Sequence, residues 1–309
     1  MSQIPILAVR KAEVAHPTGD PKFSVMQPFP SAFSAKEADP FLMCDYFGPT
    51  TSTGKETDPD NFPIGWHPHR GMDILTYITQ GVGRHADSLG NREEFASPGM
   101  QWISVGSGIE HAEGGGTPAG EDMAGFQIWV NVPSEKKMDD PRYGTEPPES
   151  IPAITCSDGA TCRLLAGSMN GRRGPFMTVQ DVQMVDYNLS AGSTVTHSVP
   201  PELDNCLVYI YRGDARAADQ SLPTHSCVRL NASPTVPSRD FTVTAGPKGV
   251  SFLIFAGKML NQPIAWHGPF VMTTDSEIRR TIMEYHEGKF LKRRAQWDYK
   301  RIASKPSEA

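Results

Sequence analysis

Residues 65–79 read GWHPHRGMDILTYIT, a histidine pair followed directly by a run of β-branched, aromatic and aliphatic side chains. Such a run is typical of a β-strand, and Gly81 marks its end. His67 and His69 lie two residues apart, so in a strand both imidazoles point to the same side. The stretch therefore predicts a sheet-forming segment that carries two metal-binding side chains on one face.

A second pair, His111 and Glu113, has the same spacing and lies between two glycine-rich turns. One such pair could be a surface coincidence. Two pairs on neighbouring strands of a barrel would instead bring three imidazoles and one carboxylate around one point. The predicted metal ligands are His67, His69, His111 and Glu113.

This donor set suits a divalent first-row metal, and on ligand type alone iron, manganese, nickel, copper and zinc all stay open. An octahedral ion with four protein ligands keeps two positions open, enough for a bidentate substrate or for a substrate and dioxygen. Structural zinc sites instead close at four ligands, usually with cysteine, and none of the five cysteines lies near the two pairs. An open, reactive centre is favoured over the alternative, a purely structural metal.

The remaining candidates for a functional role do not belong to an i,i+2 pair. Asp73 shares strand parity with the first pair if no bulge intervenes, so we expect it to line the pocket or support a ligand rather than to bind the metal. His197 lies in the second half of the chain without a partner pair, so that half is expected to hold no metal. Four other histidines are expected to be structural: His85, His225, His267 and His286.

Glycine and proline are frequent, with 28 and 27 residues among 309, and they occur in many short clusters. Frequent short turns of this kind favour an all-β fold. The length suffices for two domains, and the charged, proline-containing connector over residues 133–152 is the best boundary. We predict an N-terminal metal-binding domain over residues 1–135 and a C-terminal domain without metal over residues 136–309, in which the pattern of strands and turns recurs.

The C-terminal tail has a helical pattern. Thr274 and Glu277 have the spacing of a capping box, and Gly288 is a plausible C′ residue for the helix that follows. Apolar residues at positions 278, 282 and 285 give this helix one packing face. Residues 290–301 are basic and mixed, and a second, solvated helix is expected there.

Composition excludes several classes of protein. The formal net charge of −6 and the pI of about 5.9 provide no basic field for direct binding of nucleic acid. The longest apolar run, residues 250–256, is too short to cross a membrane, and no signal peptide is evident. Five cysteines without a Cys-x-x-Cys pattern predict a reducing compartment, the cytoplasm. No P-loop, G-x-S-x-G or G-x-G-x-x-G motif stands out.

Several motifs together resemble the pirin family, a branch of the cupins. They are residues 65–73 (GWHPHRGMD), 85–92 (HADSLGNR), 98–102 (PGMQW), 106–113 (GSGIEHAE), 127–131 (QIWVN) and 268–272 (GPFVM). The resemblance implies an all-β protein of two cupin-type, jelly-roll-like β-barrels that face each other, with a short C-terminal helical tail. It also implies one metal, usually iron, in the N-terminal barrel, with ligands that match the four residues above.

The resemblance implies two functions. Some members are quercetin 2,3-dioxygenases, for which a flavonol and dioxygen would be the substrates and Glu113 would remove the flavonol hydroxyl proton. Others are transcriptional co-regulators that dock another protein, which in a eukaryote would add a nuclear location. Three departures affect the pocket: Asp73 stands where Glu is usual, Ala112 where Ser is common, and the turn over residues 98–102 is one residue short.

Overall fold

The structure is a computed structural model that describes residues 3–17, 24–157 and 159–307. Strands dominate it, which confirms the all-β fold class. The strands are, in chain order, β1 (Ile6–Lys11), β2 (Glu13–Ala15), β3 (Val25–Phe29), β4 (Phe41–Thr51), β5 (Ile64–His69), β6 (Met72–Gln80), β7 (Val82–Asp87), β8 (Arg92–Ala96), β9 (Met100–Ser104), β10 (Ile109–Glu113), β11 (Asp122–Asn131), β12 (Arg142–Glu146), β13 (Ala153–Ser157), β14 (Ala160–Ala166), β15 (Ser168–Met169), β16 (Arg172–Arg173), β17 (Val182–Leu189), β18 (Thr194–Ser198), β19 (Asn205–Ala217), β20 (Gln220–Leu222), β21 (Ser226–Leu230), β22 (Asp240–Gly257), β23 (Ala265–His267) and β24 (Phe270–Met272). The helical elements are α1 (Asp275–His286) and the 3-10 turns Ser134–Lys136, Pro148–Ser150 and Ile302–Ser304.

The chain forms two compact units, and each unit is made of two separate segments. The first unit comprises Met1–Tyr46 and Glu149–Asn261, and the second comprises Phe47–Pro148 and Gln262–Ala309. The division predicted between residues 135 and 136 stays a prediction about domains. The start of the chain thus belongs to the same unit as residues 149–261, and the end of the chain belongs to the same unit as His67 and His69.

The first unit contains a large antiparallel sheet with the strand order β1-β21-β19-β22-β17-β14-β13. Strand β22 is central, and its apolar run from residue 250 to 257 is buried throughout. An apolar run of this kind, with only Ser251 inside it, is expected of a strand that is covered on both faces. The stretch that was too short for a membrane span is therefore the middle of a sheet.

The second unit contains a four-stranded sheet, β5-β10-β7-β8, and four strands of another sheet, in the order β12-β9-β6-β11. Strand β5 ends at His69 and β6 begins at Met72, in the other sheet. Between them Gly71 has φ +87°, and a Cβ there would lie 2.1 Å from the carbonyl oxygen of Val271. Only glycine fits this change of direction.

Helix α1 begins with the predicted capping box. The Thr274 side chain accepts a hydrogen bond from the Glu277 amide, and the Glu277 carboxylate accepts one from the Thr274 amide. Gly288 follows the C-cap with φ +69°, as predicted for a C′ residue. No helix in the described ranges is long and apolar enough to cross a membrane.

The second helix predicted over residues 290–301 is wrong, because this segment is irregular. Its apolar side chains are buried separately rather than along one helical stripe. Phe290 packs in a small core with Ala265, Phe270 and Met272, whereas Tyr299 packs on Trp66 and donates a hydrogen bond to Glu110. Tertiary contacts therefore outweigh the helical tendency of the local sequence.

Arg70 connects the end of β5 to the C-terminal segment. Its side chain is 1% exposed, and all three of its nitrogens donate hydrogen bonds. The acceptors are the carbonyl oxygens of Ser107 and Phe290, at 2.8 Å each, the Glu284 carboxylate at 2.9 Å and the Thr281 hydroxyl at 3.1 Å. Because each of its three nitrogens has an acceptor, the guanidinium can be buried, and it fixes the strand that carries the first histidine pair.

Lys137 makes a second buried connection in the same region. Its ammonium donates to the Gly71 carbonyl at 2.8 Å, to Asn131 Oδ1 at 2.7 Å and to the Val271 carbonyl at 3.1 Å. Burial lowers the pKa of Lys137 to about 8, so the side chain is still mainly protonated at neutral pH. The ammonium thus satisfies three acceptors around the turn that follows His69.

We expect Lys137→Met to lower the free energy of unfolding by about 2–4 kcal/mol, because three buried acceptors lose the hydrogen bond from the ammonium. Chemical denaturation of the two proteins measures this difference. Lys136→Met is the matched control, since Lys136 is exposed, and its effect should stay within about 0.5 kcal/mol. Equal losses from the two substitutions would contradict the role given to Lys137.

Candidate metal centre

The two predicted ligand pairs lie on neighbouring strands. Strands β5 and β10 pair antiparallel, with His111 directly opposite His67 and Ile109 opposite His69. Because side chains alternate along each strand, this register turns all three imidazoles toward one side. One ring nitrogen from each histidine can be chosen so that all three atoms lie within 4.8 Å of one another. The four-stranded sheet therefore carries a group of three histidines.

Burial keeps two of these imidazoles in the form that binds metals. His69 is 3% exposed and His111 is fully buried, and burial lowers the pKa of both side chains well below the ordinary value of 6.5. His67 is less buried, and its Nδ1 is 2.8 Å from the Gly65 carbonyl oxygen. Because a carbonyl oxygen can only accept, Nδ1 carries the proton in this contact, and the lone pair is on Nε2. Neutral imidazoles with available lone pairs are the histidine form that ligates metals.

The buried imidazoles lack well-formed hydrogen bonds to the protein. In the described part of the chain neither ring nitrogen of His111 has a partner, and His69 has only an interaction with the Pro269 backbone that falls short of normal hydrogen-bond geometry. Buried polar atoms are rarely left unpaired, since each costs about 1–3 kcal/mol. A divalent ion bound by the three histidines would give each ring a partner. The residues present therefore fit a metal centre.

Glu113 follows His111 on a regular part of β10. The pairing of β10 with β7 runs without interruption from His111 to Glu113, so the two side chains share a face. Against β5, however, the register shifts, and Glu113 lies opposite Ile64. Glu113 lies outside the group of three histidines, and its role as a ligand stays a prediction.

Two residues that the sequence analysis missed hold the Glu113 carboxylate. Gln127 Nε2 donates to Glu113 Oε1 at 3.1 Å, and Thr76 Oγ1 donates to Gln127 Oε1 at 2.6 Å. Thr76 and Gln127 face each other across β6 and β11, so the threonine fixes the amide that holds the carboxylate. A sequence signal exists, because Gln127 is the one polar residue in the interior of the strand, residues 123–130. Its partner becomes evident only from the strand pairing.

Other side chains pack around the histidines. The Trp129 ring meets His69 edge to face, with centroids 5.1 Å apart. Behind His111 lies His85, with ring centroids 5.5 Å apart, and the other side of His85 stacks on Tyr143. His85 Nε2 is 3.2 Å from the carboxylate of Asp87. These contacts restrict rotation of the rings that would bind metal.

The strand parity assumed for Asp73 is wrong, because the chain leaves the first sheet at Gly71. Asp73 is fully buried on β6 and accepts a hydrogen bond from Ser104 Oγ at 2.6 Å. Its predicted place in the pocket stays a prediction.

In the first unit, His197 and His225 each make a 2.9 Å hydrogen bond with a tyrosine hydroxyl, from Tyr187 and Tyr209.

Comparison with known proteins gives consistent matches over most of the chain. The sequence profile of the family described as Pirin matches residues 22–130, and that of the Pirin C-terminal cupin domain matches residues 184–291. A pirin-like protein of Solanum lycopersicum is 33% identical over 265 residues, which are 84% of this chain and 84% of the relative. A Vibrio cholerae protein provisionally named as a quercetin 2,3-dioxygenase is 31% identical over 287 residues, 91% of this chain and 97% of the relative.

The fold agrees with a solved structure as well. The crystal structure of a quercetin 2,3-dioxygenase from Acinetobacter baumannii superposes with a TM-score of 0.83 and 28% sequence identity. The match covers 94% of this chain and 99% of that protein. These similarities extend over both matched domains.

Replacement of one buried histidine should abolish specific metal binding. We expect His111→Gln to weaken binding of Fe(II) or Ni(II) by at least about 100-fold, because it removes a direct ligand. Added metal should raise the melting temperature of the unsubstituted protein but not that of the variant, since a ligand stabilises only the state that binds it. His286→Gln, an exposed position, is the control and should respond like the unsubstituted protein. Equal shifts in all three proteins would contradict the proposed centre.

Proposed function

Because the chain belongs to the pirin family of two-cupin proteins, we propose that it is a metal-dependent dioxygenase that opens the ring of a flavonol such as quercetin. The observation that carries this proposal is the group of three histidines, two of them buried and without a well-formed hydrogen bond to the protein. Relatives and a structural neighbour that are named as quercetin 2,3-dioxygenases support the choice of substrate. The substrates would be a flavonol and dioxygen.

The metal would be held by His67, His69, His111 and Glu113. Iron is the proposed ion, and manganese, nickel, copper and zinc also suit these ligands. A bound ion would supply Lewis-acid activation of the paired 3-hydroxyl and 4-carbonyl oxygens of the flavonol, and redox chemistry toward dioxygen. The chain itself supplies imidazoles held in fixed positions, a general base in Glu113 and an apolar surface in Trp129.

Glu113 is the proposed base for the flavonol hydroxyl. Its Oε1 is held by Gln127, whereas Oε2 has only a long contact of 3.4 Å with Thr76 Oγ1. The single proton of the Thr76 hydroxyl is used in the 2.6 Å bond to Gln127. Oε2 is therefore the oxygen that can accept a proton from substrate, and the Gln127 amide keeps the carboxylate turned toward it.

Trp129 packs beside the histidines and supports the same function. It is 8% exposed and packs on His69 at one side and on Trp266 at another. Aromatic rings in this position exclude water from the face of His69 and offer a flat apolar surface. A planar aromatic substrate suits such a wall.

Anaerobic mixing of the metal-loaded protein with quercetin, followed by addition of dioxygen, tests the activity directly. We expect loss of the flavonol absorption band and release of carbon monoxide. Glu113→Gln should slow this reaction by about 10²–10⁴-fold, the usual contribution of a general base. Glu121→Gln, at an exposed position, should not change the rate.

Failure of the metal-loaded protein to consume any flavonol, with each of the five metals in turn, would overturn the dioxygenase proposal. The alternative would then be a metal-containing protein that docks a transcriptional partner. That alternative rests on the family resemblance alone.

Gln127 and Thr76 are proposed as positioning residues. Gln127→Leu removes the donor to Glu113, so we expect kcat to fall by about 10–100-fold while the bound metal per chain is retained. Thr76→Val should have a smaller effect in the same direction, and Thr76→Ser should restore the rate because it keeps the hydroxyl. Steady-state kinetics combined with elemental analysis distinguish this result from simple loss of metal. An unchanged kcat in Gln127→Leu would contradict the role.

A further inference from the structure

Two cysteines in the first unit lie within reach of each other. The Sγ atoms of Cys156 and Cys162 are 3.3 Å apart, on the antiparallel strands β13 and β14. Cys162 pairs with Ile154, and the register shifts between Thr155 and Ser157, where Cys156 is the extra residue. All five cysteines of the chain are free thiols in the structure.

The two thiols differ in environment. Cys156 is exposed, whereas Cys162 is 2% exposed and belongs to the apolar core of the first unit. Burial raises the pKa of the Cys162 thiol, so this side chain stays protonated. An oxidant from solution therefore meets Cys156 first, with a second thiol already in contact behind it.

We propose that Cys156 and Cys162 form a peroxide-oxidisable dithiol that closes a reversible disulfide across the hairpin of β13 and β14. An exposed cysteine next to a resolving cysteine is the arrangement found in thiols that sense oxidants. The inference does not depend on the metal centre, whose ligands are in the other unit.

The chemistry proceeds in two balanced steps. The Cys156 thiolate attacks a hydroperoxide, an S–O bond forms as the O–O bond breaks, and the leaving hydroxide or alkoxide takes up a proton. Cys156 is thereby oxidised to a sulfenic acid by two electrons. The Cys162 sulfur then attacks the Cys156 sulfur, the S–S bond forms as the S–O bond breaks, and the hydroxide leaves as water with the Cys162 proton. A small-molecule thiol reverses the reaction by exchange.

The hairpin geometry allows closure with little movement. A disulfide needs a sulfur separation of about 2.05 Å, so the two atoms must approach by roughly 1.3 Å. Cys156 lies at a register shift at the exposed end of the hairpin, where its side chain can move without disturbing the core. The bridge would enclose a short loop, and short loops gain the least stability from closure, which favours a bond that can reopen.

Peptide mapping of the full-length protein tests the proposal. After brief treatment with hydrogen peroxide and alkylation in denaturant, we expect both cysteines to resist alkylation, with a loss of two hydrogen atoms in the peptide that contains them. Dithiothreitol should restore two alkylation sites. Unchanged alkylation of both residues, or oxidation of Cys156 to sulfinic acid without a disulfide, would overturn the proposal.

Variants separate the two steps. In Cys162→Ala the resolving thiol is absent, so labelling of Cys156 by dimedone, which traps sulfenic acids, should be at least about 10-fold higher than in the unsubstituted protein. In Cys156→Ser, Cys162 should stay reduced until the protein is unfolded. Cys162→Val provides a second core substitution if alanine impairs folding. Equal dimedone labelling with and without Cys162 would contradict its role as the resolving thiol.

Discussion

The register between β5 and β10 is the constraint on which the candidate centre depends. With His111 opposite His67, three imidazoles share one side of a single sheet. A slip of one residue would turn the histidines of one strand to the other face, because side chains alternate. Arg70 and Lys137 act on this register from outside the sheet, since both hold the backbone at the end of β5 through buried hydrogen bonds. The two buried cations thus help to hold the strand that carries His67 and His69 in place.

The burial of the histidines lowers the stability of the protein but favours binding of a metal ion. His69 and His111 are buried with ring nitrogens that make no well-formed hydrogen bond to the protein, and an unsatisfied buried polar group costs about 1–3 kcal/mol. Their lowered pKa values follow from the same burial, which favours the neutral rings. Metal binding at such a site would form coordination bonds and would also remove the free-energy cost of the unpaired ring nitrogens. Tight packing by Trp129 and His85 then limits how far the rings can relax.

The sequence predicted those parts of the site that depend on local spacing. The two i,i+2 pairs, the strand that follows them and the capping box of α1 are local patterns, and the structure contains each of them. Three features could not be predicted because they depend on contacts between distant residues. The chain changes sheets at Gly71, Gln127 reaches Glu113 from another sheet, and Phe290 and Tyr299 are buried apart, which prevents a second helix.

The long range of the Arg70 contacts has a consequence for biosynthesis. Its acceptors Glu284 and Phe290 follow it by 214 and 220 residues. At roughly 5–20 residues per second, the ribosome needs on the order of 10–45 s to make them. Both predicted ligand pairs are therefore synthesised early, whereas the Arg70 contacts that hold the end of β5 are completed late. Most of the first unit is translated in that interval, so the unit that carries the three histidines is the last to be fully synthesised, although the histidines themselves are made early.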